Sequence, residues 1–198
     1  MMTIELTDNR IEIEMADSDE LSLDEMFDQL EQMPVPEGWK AEIVEGAVVM
    51  SPQRDNHWDI ILGIVEQLRT KYPRKRIKSD VRFDFPGGLN GFACDVVALR
   101  DGAEKDDKGR WRYQDVEFVA EVISRGTSHN DYGPKLDAYA VAEVPVYLIV
   151  DPYSQVASLR AAQGREVQDY LTLDFGAPVD LTGTAVGLTL ETSDFDRR

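Results

Sequence analysis

Three acidic side chains stand in segments whose other residues favour burial. Asp95 interrupts the run Phe-Ala-Cys-Asp-Val-Val-Ala, Glu121 interrupts Phe-Val-Ala-Glu-Val-Ile, and Glu42 lies on an early predicted hairpin. An unpaired buried carboxylate is costly, so such residues normally have a cationic partner or a metal ion. Carboxylates on neighbouring strands can converge on one ion, and the Val122 carbonyl can complete an oxygen shell that suits Mg²⁺. For any one acid, a satisfied structural role is the ordinary alternative.

Lys135 follows the Glu121 strand on a helix predicted to begin near Asp131. The first turns of such a helix point back towards the end of the strand, so the ammonium group can be aimed at the carboxylates. Two ordinary explanations compete with this interpretation. Lys135 can extend its side chain along apolar surface to reach solvent, or it can pair with Asp131 four residues earlier.

The two histidines are open to two interpretations. His57 and His129 can each contact the candidate site, or each can satisfy a nearby polar group, and we favour the structural role. Together with the two carboxylates, His57 would make a site for a transition metal, but a ligand set with few nitrogens favours Mg²⁺ or Mn²⁺. Ser124 has no histidine at the spacing of a nucleophile elbow, and the glycines at 87–91 do not form a phosphate loop.

The hydrophobic pattern predicts the elements that must position these residues. Helical periodicity marks 23–30, 56–68 and 131–142, and apolar or alternating runs mark strands at 40–44, 47–50, 77–85, 92–99, 116–123 and 144–150. Ser22 and Glu25 have the spacing of a capping box. Short strands and turns follow as far as 188–190. Strands clustered before a single crossover predict an α/β (α+β) fold, a mixed sheet flanked by helices.

Composition indicates one folded domain. A chain of 198 residues with 42% hydrophobic content can bury one substantial core, predicted at 18–198 and preceded by an acidic arm or edge strand at 1–17. The acidic start is unlike a signal peptide, and no apolar stretch reaches the length of a membrane span. The single cysteine, Cys94, suits a reducing compartment. We therefore expect a cytoplasmic protein without a membrane partner.

Charge is distributed unevenly along the chain, whose net charge is −17. Residues 1–31 contain eleven acids and one basic residue, Arg10, whereas 69–82 contains seven basic residues and one acid, Asp80. The overall sign argues against a polyanionic partner. The basic run is either a solvated surface or a patch that contacts phosphate. A further hypothesis is that the acidic segment covers the basic run until a partner or DNA displaces it, although a structural helix at 18–33 is the favoured interpretation.

Four motifs in the same order resemble those of the Uma-two family, a group within the PD-(D/E)XK nuclease superfamily. The first is Glu-Ile-Val-Glu-Gly from Glu42, with Met-Ser-Pro and His57 after it. The second is Cys-Asp-Val-Val around Asp95. The third is Glu-Val-Ile-Ser from Glu121, followed by Asp131, Lys135 and Tyr139, and the fourth is Val-Pro-Val-Tyr-Leu-Ile-Val-Asp-Pro at 144–152. The resemblance covers about 23–190.

The resemblance implies a restriction-endonuclease-like core with an added N-terminal helix and hairpin and added C-terminal strands. It implies that Asp95 and Glu121, with the Val122 carbonyl, bind Mg²⁺ or Mn²⁺, and that Glu42 is a helper acid. Lys135 resembles the superfamily lysine moved from the strand to the next helix. Three departures are Cys94 in place of the motif proline, Arg-Gly after Ser124, and Leu148 in place of a common tryptophan.

The function implied by this resemblance is metal-dependent hydrolysis of phosphodiester bonds in DNA, with Glu42, Asp95, Glu121 and Lys135 as catalytic residues. A homodimer is favoured because cutting a duplex requires two active sites, although no interface can be identified in the sequence. The alternative is a catalytically silent protein that keeps the nuclease fold and acts as a binding or regulatory module. The acidic balance and the absence of an added DNA-binding module favour this alternative.

Overall fold

The computed structural model describes residues 3–7, 10–14, 21–163 and 166–195. Two strands lie within the predicted arm, β1 at Thr3–Thr7 and β2 at Arg10–Glu14. They pair with each other antiparallel, and β2 also pairs with β4 (Ala47–Pro52). The rest of the predicted arm, 1–2, 8–9 and 15–17, lies outside the described residues.

The early hairpin and the helix before it follow the predicted pattern. Helix α1 (Leu23–Leu30) begins after Ser22, whose side chain forms the predicted capping box with Glu25. The hairpin pairs β3 (Trp39–Val44) with β4 along its whole length. Met26 and Leu30 of α1 pack on the hairpin, against Ile43, Val48 and Met50.

The rest of the chain supplies helix α2 (Asp55–Leu68) and the remaining strands of two sheets. The two remaining helices are α3 (Ser128–Tyr132) and α4 (Pro134–Val141). In the described part of the chain, no helix is both long and apolar enough to cross a membrane. The strands are β5 (Ile77–Lys78), β6 (Val81–Phe85), β7 (Asn90–Cys94), β8 (Val96–Leu99), β9 (Trp111–Arg112), β10 (Val116–Val122), β11 (Tyr147–Asp151), β12 (Val156–Gln163), β13 (Glu166–Asp174), β14 (Val179–Asp180) and β15 (Thr189–Leu190).

The strands form two large mixed sheets. Seven strands make the first sheet in the order β1-β2-β4-β3-β7-β6-β9, and six make the second in the order β13-β12-β11-β10-β8-β5. The pairs β6–β9 and β10–β11 are parallel, and the neighbouring pairs are antiparallel. β14 and β15 form a small separate pair. The predicted mixed α/β architecture is confirmed, with two sheets where the sequence indicated one.

Two predicted strands are each divided between the two sheets. The segment 77–85 breaks at Asp80, whose backbone is left-handed with a φ of 52°, and 92–99 breaks at Asp95. The N–H of Asp80 donates to the carbonyl of Cys94 at 3.1 Å, so the two crossings lie side by side. The prediction of single strands was wrong here because apolar residues continue on both sides of each break and conceal it.

The predicted helix at 131–142 is also divided. Gly133 has a φ of −126° and a ψ of −105°, which ends α3, and Pro134 begins α4, where its missing N–H costs no hydrogen bond. The break places Asp131 on α3 and Lys135 on α4. Both side chains are nevertheless buried and in contact across the junction of the two helices.

The second sheet is covered on both faces. α2 packs on the face that carries Phe118, Ala120 and Val122 of β10, through four aliphatic side chains, Ile60, Ile61, Ile64 and Leu68. α4 packs on the opposite face, which carries Val119 and Ile123, through Ala138 and Tyr139. Because residues alternate along a strand, Glu121 faces α4 from a position that would otherwise be apolar.

Candidate active site

Asp95 lies in the gap between β7 and β8, where the chain passes from one sheet to the other. Its Oδ2 accepts a hydrogen bond from the Val122 N–H at 2.8 Å, and its own N–H donates to Glu121 Oε2 at 3.2 Å. Each acid is thus fixed by the backbone of the other segment. Burial tends to raise the pKa of Asp95, but Lys40 and His57 outweigh it, and the net shift is downward.

Glu121 accepts hydrogen bonds from α4. Its Oε1 is 2.7 Å from the Tyr139 hydroxyl and 3.2 Å from Lys135 Nζ. The whole residue is only 1% exposed. Burial raises the pKa of Glu121 to about 8, while Lys135 and Lys40 oppose that rise. A group with this pKa can exchange a proton for a metal ion close to neutral pH.

Lys135 lies among three carboxyl groups. Its Nζ is 2.8 Å from Glu42 Oε2, 3.2 Å from Glu121 Oε1 and 3.3 Å from Asp131 Oδ1. Burial lowers the pKa of Lys135, but these carboxylates more than compensate and the net pKa is raised, so the ammonium form persists. Glu42 is fixed in turn because its Oε1 accepts the N–H of Ala93 at 2.8 Å. The structure therefore brings together Glu42, Asp95, Glu121 and Lys135.

The pairing of Lys135 with Asp131 does not exclude its contact with the other acids. Asp131 is 5% exposed, and burial raises its pKa to about 6 against the effect of Lys135. The interpretations in which Lys135 faces the carboxylates or pairs with Asp131 thus both describe contacts that exist. The alternative in which its side chain reaches solvent was wrong, because Lys135 is only 3% exposed. The three hydrogens of an ammonium group can be donated to several carboxylates at once. Lys135 is therefore more than one partner of an ion pair within a helix.

Lys40 is a member of this cluster that sequence reasoning missed. Its Nζ donates to Asp95 Oδ1 at 2.7 Å and lies 3.8 Å from Glu42 Oε2 and 3.9 Å from Glu121 Oε2. Burial lowers the pKa of Lys40, but the three carboxylates outweigh it and raise the net pKa. A signal was available, because residues two apart on a strand share a face, and Glu42 follows Lys40 by two.

His57 connects α2 to the same site. Its Nε2 lies 2.6 Å from the Val122 carbonyl oxygen, to which it donates, and 3.4 Å from Asp95 Oδ2. Its Nδ1 is buried and has no hydrogen-bond partner among the described residues. His57 therefore positions the backbone next to Glu121. His129 is exposed on α3, and its predicted role stays a prediction.

We expect the substitution His57→Ala to lower the free energy of unfolding by about 1–3 kcal/mol, because a buried carbonyl loses its donor and a cavity remains. Urea unfolding of both proteins measures the change. Glu66→Ala is the control, since an exposed position on the same helix should change stability by less than about 0.5 kcal/mol. A His57→Ala protein as stable as the wild type would remove this positioning role.

The oxygen atoms of the site are of the kind that bind a hard divalent cation, and the ammonium group of Lys40 lies among them. Asp95, Glu121 and the Val122 carbonyl offer oxygen atoms, the ligands that Mg²⁺ and Mn²⁺ prefer. Across the described ranges, however, no three His, Cys, Asp or Glu side chains are arranged as a metal-binding group. The ammonium group of Lys40 lies between the carboxylates instead, and it marks a position where positive charge is stabilised.

Comparisons with known proteins agree with this fold. A solved structure, described as "Crystal structure of a putative nuclease belonging to DUF820 from Anabaena variabilis ATCC 29413", aligns with a TM-score of 0.64 and 18% identity, covering 88% of this chain and 97% of that chain. The search of curated proteins found no match. The model of the Uma2 family, whose description is "Putative restriction endonuclease", matches residues 25–193. Since this match spans most of the sequence, the chain belongs to the Uma2 family.

Proposed function

We propose that this protein is a metal-dependent endonuclease that hydrolyses phosphodiester bonds in DNA. The observation that carries the proposal is the convergence of Glu42, Asp95, Glu121 and Lys135, which are distant in sequence, on one buried cluster. Membership of a family of restriction-endonuclease type supports the same reaction class. Buried acids paired with lysines at a strand junction are costly to build, and such groups concentrate at functional sites.

Asp95, Glu121 and the Val122 carbonyl are the groups that would hold the metal ion. A bound Mg²⁺ or Mn²⁺ would supply Lewis-acid chemistry, namely a more acidic water and neutralised phosphate charge. The protein contributes the orientation of these oxygens. The Val122 N–H fixes Asp95, and Tyr139 fixes Glu121.

Lys135 would stabilise the negative charge that develops on the phosphate and on the attacking oxygen. Its ammonium group is fixed by Glu42, Glu121 and Asp131, so little reorganisation is needed during the reaction. Glu42 has two roles in this proposal. It orients Lys135 through Oε2, and it is the nearest remaining carboxylate that can orient the water or accept its proton.

The proposal is tested by incubating supercoiled plasmid DNA with the purified protein in Mg²⁺, in Mn²⁺ or in EDTA. We expect nicked or linear product with either metal and none in EDTA. Asp95→Asn should reduce cleavage on the order of a thousandfold or more, since loss of a metal ligand removes several kcal/mol of transition-state stabilisation.

The matched control is Asp101→Asn, which makes the same chemical change at a carboxylate whose side chain is 97% exposed. This variant should cleave at the wild-type rate. Equal activity of the wild type and Asp95→Asn, or activity that persists in EDTA, would reject the proposed mechanism.

A catalytically silent binding or regulatory protein is the second candidate. The net charge of −17 favours it, because DNA repels an acidic surface. Complete absence of cleavage by the wild type with either metal, on DNA of varied sequence, would support this candidate. For the active enzyme, we propose a homodimer, because duplex cleavage requires two sites, and a cytoplasmic location suited to the lone buried thiol of Cys94.

A further inference from the structure

We propose that Lys40 is an internal cation that occupies the metal position in the metal-free protein and is displaced when a divalent ion binds. This inference rests on the proposed function, since it assigns a residue to its metal-dependent step. Lys40 is outside the four residues proposed above for catalysis. It explains how so many carboxyl groups can be packed together without a metal ion.

The position of Lys40 carries the first step. Its Nζ contacts Asp95 at 2.7 Å and lies within 4 Å of both Glu42 and Glu121. Asp95 and Glu121 are the side chains proposed to bind the metal. An ammonium group that donates to a carboxylate oxygen blocks that oxygen from a metal ion, so the two cations compete for the same place.

The two buried lysines differ in how firmly they are held. Lys135 has three carboxylate oxygens within 3.3 Å, whereas Lys40 has one close contact and two near 4 Å. Fewer close contacts must be broken to move Lys40. Competition with a metal ion should therefore displace Lys40 and leave Lys135 in place.

Exposure also distinguishes the two lysines. The side chain of Lys40 is 9% exposed, against 4% for Lys135 and 1% for Glu121, so Lys40 lies at the outer edge of the cluster. It is the second residue of β3, near the open end of the hairpin. A flexible four-carbon side chain at this place can move its ammonium group into water without a change in the backbone.

The first test measures Mn²⁺ affinity of the full-length protein by titration calorimetry, comparing the wild type with Lys40→Met. Methionine keeps the length of the side chain but removes the competing charge. We expect Lys40→Met to bind Mn²⁺ at least about tenfold more tightly, given the strength of charge interactions over 4 Å. Lys105→Met, at an exposed lysine, should leave the affinity unchanged. Equal or weaker binding by Lys40→Met would overturn the proposal.

Removal of a nearby positive charge would tighten metal binding even if Lys40 stayed in place, so a second measurement follows its movement directly. The wild-type protein is acetylated with an amine-reactive reagent, with and without Mn²⁺, and labelling of each lysine is quantified by mass spectrometry. Labelling of Lys40 should increase severalfold with Mn²⁺, whereas Lys135 stays protected and Lys105 reacts equally in both states. Unchanged labelling of Lys40 would overturn the displacement. This measurement needs no variant.

The outcomes separate this inference from the proposed function. A wild type that binds Mn²⁺ with increased labelling of Lys40 but never cleaves DNA would reject the nuclease and retain the role of Lys40. If the wild type cleaves DNA but Lys40→Met binds Mn²⁺ no more tightly, the nuclease function is retained and the role of Lys40 is rejected. Failure of both proteins to bind Mn²⁺ would reject the role of Lys40 together with the metal dependence.

Discussion

Lys135→Met should lose DNA cleavage on the order of a hundredfold to a thousandfold while Mg²⁺ binding persists. The ammonium group is the charge proposed to stabilise the transition state, and the metal ligands Asp95 and Glu121 remain in the variant. The same substitution leaves three buried carboxyl groups short of their partner. We expect the metal-free protein to lose about 3–5 kcal/mol of unfolding free energy, the usual cost of breaking a buried ion pair.

Urea unfolding and plasmid cleavage of the same preparation measure both effects. Saturating Mg²⁺ should restore part of the lost stability, because the ion binds only the folded chain. Lys105→Met, at an exposed lysine, is the control and should match the wild type in both assays. Wild-type cleavage by a folded Lys135→Met protein would remove Lys135 from the mechanism.

Glu121→Gln should separate stability from activity. Burial raises the pKa of Glu121 to about 8, so a neutral side chain is less costly here than at an ordinary glutamate, and a glutamine is neutral and has nearly the same shape. Its oxygen can still accept from Tyr139 and Lys135, but its NH2 group then faces the Asp95 N–H, which loses its acceptor. We expect a loss of about 1–3 kcal/mol of unfolding free energy. Cleavage should nevertheless fall about a thousandfold, because a neutral amide is a poorer ligand and balances less charge.

The measurements for Glu121→Gln are unfolding without metal, Mn²⁺ titration and plasmid cleavage. Asp101→Asn again serves as the exposed control. A variant that is strongly destabilised before metal is added would indicate that Glu121 is ionised in the metal-free protein, against the expectation from its burial. A variant that binds Mn²⁺ as the wild type does would contradict its role as a ligand.

The acids of the site could be predicted from the sequence because charged residues are unusual in segments that are otherwise apolar. Asp95 and Glu121 stand in apolar runs, where a charge is costly unless something compensates it. The structure shows compensation by hydrogen bonds and lysines, and the helix after β10 supplies one of those lysines as expected. Whether these residues act on a phosphate stays a prediction that the experiments above address.

Other features could not be predicted because they depend on tertiary geometry. The chain passes from one sheet to the other at Asp95. The hydrophobic pattern does not reveal this change, because the segments on both sides of Asp95 are buried. The spacing of Lys40 and Glu42 predicts only that the two side chains share a face of β3. Their burial beside Asp95 and Glu121 depends on segments that are distant in sequence. The division of the helix at Gly133 was likewise concealed, because the apolar residues on either side remain consistent with one helix.

The reciprocal bonds between Asp95 and the β10 segment bear on how such a protein can evolve. The Asp95 N–H donates to the Glu121 carboxyl group, and the Val122 N–H donates to Asp95, so each acid also serves the main chain of the other segment. Loss of either acid would be costly even in a descendant without catalytic activity. The N–H of Asp95 or of Val122 would then be buried without an acceptor. The presence of both acids in a relative is therefore poor evidence of catalysis. Their joint replacement would indicate that other hydrogen bonds connect the Asp95 segment to β10 in that relative.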